Sequence, residues 1–202
     1  MSSVTIEHAP IPRMKAEDRR ELVLTAAMEV FGDNGYIGTT TDMIARAAGV
    51  SQPYIVRLFG TKEKLFLEVM QRALDRLFET FEMALPGDPE TVGRRLGLAY
   101  VELLNDRGLH LSLMHAFVSG NDPVIGKAAR EGFISVYKYL REFGGFTGPE
   151  TETFLAHGML INTMVGLRMT EVYGADPVAK ELLDCTFGEK LDVAMNLREA
   201  RA

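Results

Sequence analysis

Three side chains in the stretch QPYIVRLF, namely Gln52, Tyr54 and Arg57, have the chemistry of base and phosphate recognition. A glutamine amide places a donor beside an acceptor, matching the N6/N7 edge of adenine, and an arginine does the same for guanine or grips the backbone. A tyrosine ring packs on a base methyl or bonds a phosphate. Thr40, Thr41, Ser51 and Lys62 flank them, with Pro53 between, and are suited to clamp a sugar-phosphate backbone, which sets register rather than sequence. Groupings for other chemistry are missing. The histidines are His8, His110, His115 and His157, and no H-E-x-x-H, C-x-x-C or G-x-S-x-G occurs. His110 and His115, five apart, do not share a helix face. No catalytic residue, no metal and no cofactor is expected. The lone Cys185 excludes an intramolecular disulfide and reads as packing, with a redox switch as the rival. GGFTGP at 144–149 lacks the lysine and spacing of a phosphate loop and reads as a linker.

Such side chains read DNA only from a rigid outward face, and the surrounding residues outline one. Thr39 or Thr40 can cap a first helix, with Asp42 three residues after Thr39 in the capping-box position. Ile44, Ala47 and Ala48 then recur at helical spacing, and Ala45 is small enough to admit a second helix. Gly49 supplies the corner, where a left-handed backbone is cheap only for glycine. Ser51 suits the N-cap of the second helix, and Pro53 fits its first turn, where a missing N–H costs nothing. Ile55, Leu58 and Phe59 point one way, Gln52, Tyr54 and Arg57 another. Helix, glycine turn and helix with a polar outer face is the helix-turn-helix pattern, whose second helix enters a major groove. A plain αα-corner in a helical core is the competing reading.

The flanks, EDRRELVLTAAMEVFGDNGYIGTT before and GTKEKLFLEVM after, extend the pattern. With the central stretch they resemble the N-terminal domain of the tetracycline-repressor-like (TetR) family of bacterial transcription regulators. The resemblance runs through Ala27, Phe31, Gly35, Tyr36, Thr39, Thr40, Ile44, Ala45, Ala48, Gly49, Val50, Ser51, Phe59, Lys62, Glu63 and Leu65. It covers roughly the first third of the chain, an extent that suits a single DNA-binding domain. Val56 stands where members commonly carry tyrosine, Leu58 where they carry histidine or tyrosine, and Pro53 where they carry glycine. That tyrosine often touches phosphate, so Val56 removes one contact. The resemblance implies a homodimeric repressor that lays helix 52–59 of each subunit on a palindromic operator in double-stranded DNA, and that a small, largely apolar effector releases.

Composition sets the frame. A chain of 202 residues that is 47% hydrophobic can bury one or two cores. The opening MSSVTIEHAP has no apolar leader, and no run of about 18 apolar residues occurs. A cytoplasmic protein, not an enzyme and without a membrane partner, is expected. Residues 1–64 hold eight of the 22 Lys and Arg and eight of the 28 Asp and Glu, so the DNA-reading end is neutral on a chain of net charge −6. That runs against the usual basic footprint. Helix N-termini near Thr40, Ser51 and Thr61, and the cluster Arg13, Lys15, Arg19 and Arg20, are expected to compensate.

The expected architecture is all-α: an N-terminal three-helix helix-turn-helix domain joined to a larger helical ligand-binding and dimerisation domain. Residues 1–15 read as a mobile arm, 16–61 as the DNA-binding domain, 62–85 as a connecting helix apolar on both sides, and 86–202 as the larger domain after Pro86-Gly87-Asp88-Pro89. Asp-Pro starts at 88, 122 and 176 place helices near 89–105, 109–119, 123–143, 149–173 and 177–198. Tyr100, Leu104, Met114, His115, Phe117, Val118, Phe133, Tyr137, Met159 and Asn162 form an inventory suited to an adaptable effector pocket, or to an ordinary core. From Phe154 to Met169 the segment is apolar nearly all round, and must be covered on most faces. Phe154, Gly158, Ile161, Val165, Leu183, Phe187 and Leu191 are accordingly expected at a dimer interface, the family's usual place for one; packing within one chain is the rival. The alternative function keeps the fold and DNA but drops the effector, leaving control to a partner or to abundance.

Overall fold

The computed structural model describes residues 15–106 and 108–199; of the expected arm and its basic cluster, all but Lys15, Arg19 and Arg20 fall outside them. Among the described residues there are helices and no strand: α1 (Ala16–Gly38), α2 (Thr41–Ala47), α3 (Gln52–Phe59), α4 (Lys62–Ala84), α5 (Val92–Glu102), α6 (Leu109–Val118), α7 (Pro123–Glu142), α8 (Gly148–Gly166), α9 (Pro177–Phe187) and α10 (Leu191–Glu199). No helix there is long and apolar enough to cross a membrane.

Local chemistry accounts for most boundaries. Asp88, Asp122 and Asp176 each accept a hydrogen bond from the backbone two residues on, and each precedes a proline whose missing N–H is not needed there. Thr147 and Glu150 close a capping box at the start of α8. Three long expected helices are broken. The segment 89–105 is α5 between two 3-10 turns. The helix expected to reach 173 stops at Gly166, and Arg168 takes a left-handed conformation (φ 55°). Gly188 (φ 50°) separates α9 from α10. At the expected boundary after α4, the Arg95 guanidinium gathers the carbonyls of Ala84, Leu85 and Asp88 at 2.7–2.9 Å, so the link is pinned.

α4 is the central strut. It packs on α1 and α3 at one end and on α5, α6 and α7 along the rest, which is why both its sides are apolar. The most extensive helix pairing, however, is α1 against α6. Here the backbones nearly touch. A Cβ on Gly32 would lie 2.7 Å from Gly108 Cα, and one on Gly108 only 2.3 Å from the Met28 carbonyl oxygen. Ser112 Oγ donates to that same Met28 oxygen at 3.0 Å, and the His115 ring lies 3.2 Å from the Gly32 carbonyl.

Behind α5 the core holds one costly group. His110 is buried, its ring edge-on to Tyr100 at 5.0 Å, and its Nε2 has no hydrogen-bond partner among the described residues. Burial pushes its pKa down to about 4, against a smaller upward pull from a hydrogen bond to the Tyr100 backbone. The ring is therefore neutral in the fold.

Two measurements check this packing. Gly32→Ala should lower stability to urea by about 1–3 kcal/mol, whereas Gly97→Ala, whose Cβ would meet nothing within 4 Å, should raise it by about 0.5–1 kcal/mol; equal effects would refute the backbone contact. His110 binds its proton near 6.5 when unfolded and only near 4 when folded. Its neutral form thus contributes full stability above pH 6.5, and that contribution is lost as pH falls toward 4, a change on the order of 3 kcal/mol. His110→Leu should remove this slope; an unchanged acid limb would overturn the assignment.

Candidate nucleic-acid interface and apolar pocket

The corner between α2 and α3 is built from hydrogen bonds that its residues dictate. Gly49 (φ +64°) follows α2, with Val50 N–H donating to the Ala45 carbonyl at 2.9 Å and Gly49 N–H to Arg46 at 3.2 Å, a Schellman closure. Thr40, not Thr39, caps α2, its Oγ1 accepting from Met43 N–H at 3.2 Å. Thr39 is wholly buried and donates its hydroxyl to the Gly35 carbonyl at 2.7 Å. Asp42, expected in a capping box, instead pairs with Arg46 one turn on. Ile44, Ala45, Ala48, Ile55 and Phe59 form the shared core, while Ala47, expected inside, is exposed.

α3 packs chiefly on α2 and α4, which leaves its other face outward. On that face Pro53, Val56 and Arg57 are exposed, and Gln52 and Tyr54 half-buried. Gln52 Nε2 donates to Thr41 Oγ1 at 3.1 Å. The bond uses one of two amide protons, so the other proton and Oε1 still form a donor–acceptor pair, now with a set direction. The Arg57 guanidinium lies 4.9 Å over the Tyr54 ring, which reduces the side-chain freedom lost on binding. Thr40 and Thr41 accept bonds within the protein but keep hydroxyl protons to donate. Ser51 occupies the N-cap position of α3 without capping it through its side chain.

Two expected DNA-facing cations are spent inside the fold. Lys62 Nζ donates to the carbonyls of Tyr36 and Thr39, at 2.8 and 2.9 Å, and sits 4.5 Å over the Tyr36 ring. It stitches the start of α4 to the kink at Gly35 rather than standing free as a clamp. Arg20 pairs with Glu68, reaches the Leu58 carbonyl and covers the Phe59 ring at 4.6 Å. Sequence spacing gave no sign of either partnership.

An apolar slot of about 60 Å³ lies among α4 to α8, walled by Leu74, Phe81, Leu113 and Val136. Of the ten expected pocket residues, Tyr100, Phe117, Phe133, Met159 and Asn162 line it. The other five do not. Leu104 is buried elsewhere, Val118 is 75% exposed, Tyr137 faces outward near Gly148, Met114 is outside the lining, and His115 abuts α1 at Gly32 and Gly35. The lining residues missed, on α4 and at Gly132 and Val136 of α7, looked like ordinary core in the sequence. At the slot's inner end the Tyr100 hydroxyl donates to Asn162 Oδ1 at 2.8 Å. Burial pushes that hydroxyl's pKa well above its ordinary value, so it stays protonated.

The residues expected at a dimer interface pack, wholly or in part, within the chain's own fold. Ile161, Leu183 and Phe187 are buried in the chain's own core, Phe154 meets Phe81 and Phe146 edge-on, Gly158 faces Tyr100, and Val165 and Leu191 pack against the same core. The exposed apolar residues of these helices are others: Leu160 on α8, Leu167 just after it, and Val178 and Leu182 on α9. Both faces of α8 are apolar, so hydropathy does not distinguish them.

Residues 23–69 match the family described as bacterial regulatory proteins, tetR family. The chain is 38% identical over 112 residues to the HTH-type transcriptional activator FasR of Mycolicibacterium smegmatis, covering 55% of this chain and 50% of that one. It is 36% identical over 70 residues to the HTH-type transcriptional regulator HbdR of an Aromatoleum species, covering 35% and 29%. The chain thus spans half or less of the length of these curated relatives. Among solved structures, a TetR-like transcriptional regulator from Rhodococcus sp. RHA1 superposes with a TM-score of 0.63 at 21% identity, covering 92% and 93% of the two chains; that likeness extends the shared fold into the C-terminal helices. With a corner built as described and a match that runs from within α1 into α4, residues 23–69 form a DNA-binding domain of the type found in the tetR family of bacterial regulatory proteins.

Proposed function

We propose that the protein is a DNA-binding transcriptional regulator that acts as a homodimer. Residues 16–61 would read DNA, 62–85 connect, and 86–202 hold the effector and dimer contacts. The observation that carries this reading is the outward stripe of α3, where a directed Gln52 amide and a stacked Arg57 stand clear of the larger helical body. Each subunit lays α3 in a major groove, and the pair reads a palindrome whose half-sites lie about one helical turn, or multiples of it, apart. Gln52 reads adenine, Arg57 reads guanine or backbone, and the hydroxyls of Thr40, Thr41 and Ser51 hold phosphates. Bound at its operator the dimer represses by occupancy. FasR is named an activator, and the operator's position relative to the promoter sets the sign.

The second copy meets the outer sides of α8 and α9 at Leu160, Leu167, Val178 and Leu182, apolar side chains that the chain's own fold leaves exposed. Control comes from the slot. α4 walls it with Met70, Leu74, Leu77 and Phe81 and runs on to Lys62 beneath the helix-turn-helix. A ligand that widens the slot therefore tilts α4 and shifts the spacing of the two heads. Its effect is limited to its differential affinity for the two states, typically about 1–3 kcal/mol. The effector-free alternative is favoured by one observation, the small volume of the slot in this conformation.

Gln52→Ala should lower affinity by about 1–3 kcal/mol at one base-pair position and flatten the preference there, read by binding to an operator library; an equal loss on all sequences would refute base reading. Leu160→Glu with Leu182→Glu should yield a folded monomer by ultracentrifugation and circular dichroism, with operator affinity down about 100-fold. A variant that remains dimeric would rule out this face.

A further inference from the structure

The chemistry of the slot restricts what can fill it. No Asp, Glu, Lys or Arg lines it, and the one titratable ring behind Tyr100, that of His110, is held neutral by burial. The walls are aliphatic, methionine and phenylalanine side chains with two glycines, and Tyr100 and Asn162 carry the polar side-chain atoms of the lining. Those two are already paired in one direction, the Tyr100 hydroxyl to Asn162 Oδ1. The Asn162 amide nitrogen is left. It makes no hydrogen bond among the described residues, in a side chain that lines the slot and is only 3% exposed. That nitrogen is not sealed inside the protein as His110 Nε2 is, so its N–H is open to an acceptor presented from the slot. At the other end, Phe133 lines the slot and is 39% exposed, its ring edge-on to Phe117 at 5.7 Å, which marks the mouth.

Resting on the sensor reading above, we propose that the effector is an uncharged molecule, hydrocarbon over most of its length, that enters between Phe117 and Phe133 and places a single carbonyl oxygen on Asn162 Nδ2. A carboxylate is excluded from the inner end because no cation or second donor there offsets its lost hydration. A pure hydrocarbon fits the walls but leaves the amide unpaired. The flexible Met159, Met70 and Leu74 give the slot its capacity to widen around the chain.

The test uses the 202-residue chain and three probes of matched length, 2-decanone, undecane and decanoate, with affinity read by displacement of a fluorescent apolar dye. The ketone should bind about tenfold more tightly than either of the others, the ratio expected for one net hydrogen bond. Asn162→Leu should erase the ketone's advantage over undecane while retaining binding of both. The carbonyl stretch of bound 2-decanone in the wild-type protein should move to lower frequency than in hexane, a readout independent of how the variant folds. Ketone and alkane binding equally, or decanoate binding most tightly, would overturn the carbonyl assignment while leaving the sensor reading intact. Failure of all three to bind a protein that still holds its operator would overturn the sensor reading, and this proposal with it.

Discussion

The close approach of α1 and α6 is the constraint from which the rest of the arrangement follows. Two glycines, Gly32 and Gly108, let main chain meet main chain where any larger side chain would force the helices apart. Ser112 and His115 then bond to carbonyls of α1 that the approach brings within reach. The helix-turn-helix hangs from the far end of α1, through the kink at Gly35, so its orientation on the body is set by this contact and by α4. Interiors are close-packed and do not deform continuously. Movement of either helix is therefore felt at the reading head, and Phe117, on the same helix as Ser112 and His115, lines the slot.

The neutral charge of the DNA-reading end is intelligible once its cations are located. Lys62 and Arg20 serve the fold, one at the kink after Gly35 and one across α1, α3 and α4. Such contacts satisfy carbonyls that would otherwise go unpaired beside the corner, and a single partner each would not do so. The outward face is left with Arg57, hydroxyls and an amide. That inventory favours directed hydrogen bonds over bulk attraction, and a weaker dependence on salt than a basic patch would give.

α8 shows why an apolar helix is ambiguous. Gly158, Asn162 and Gly166 stand at one narrow face, as their spacing of four implies, and they do admit a close neighbour. The neighbours are Tyr100 of α5 and Leu111 of α6, in the same chain. The opposite face, with Leu160 and Thr163, is uncovered. Long-range pairing separates the two: Tyr100 satisfies Asn162 Oδ1 on the inner face, whereas Leu160 and Thr163 on the outer face stay exposed.

Short-range chemistry was legible in the order of residues. The Asp-Pro starts, the left-handed Gly49 and the inward set Ile44, Ile55 and Phe59 depend on neighbours within a turn or two, so the all-helical architecture and the outward stripe at Gln52, Tyr54 and Arg57 were readable before any coordinates. Long-range pairings were not. Lys62 finds Tyr36 across 26 residues, Tyr100 finds Asn162 across 62, and His115 finds Gly32 across 83. Which half of a candidate pocket faces a cavity, and which side of α8 faces solvent, follows from how the helices stack. Helical periodicity reports that a face is buried but carries no information about what buries it.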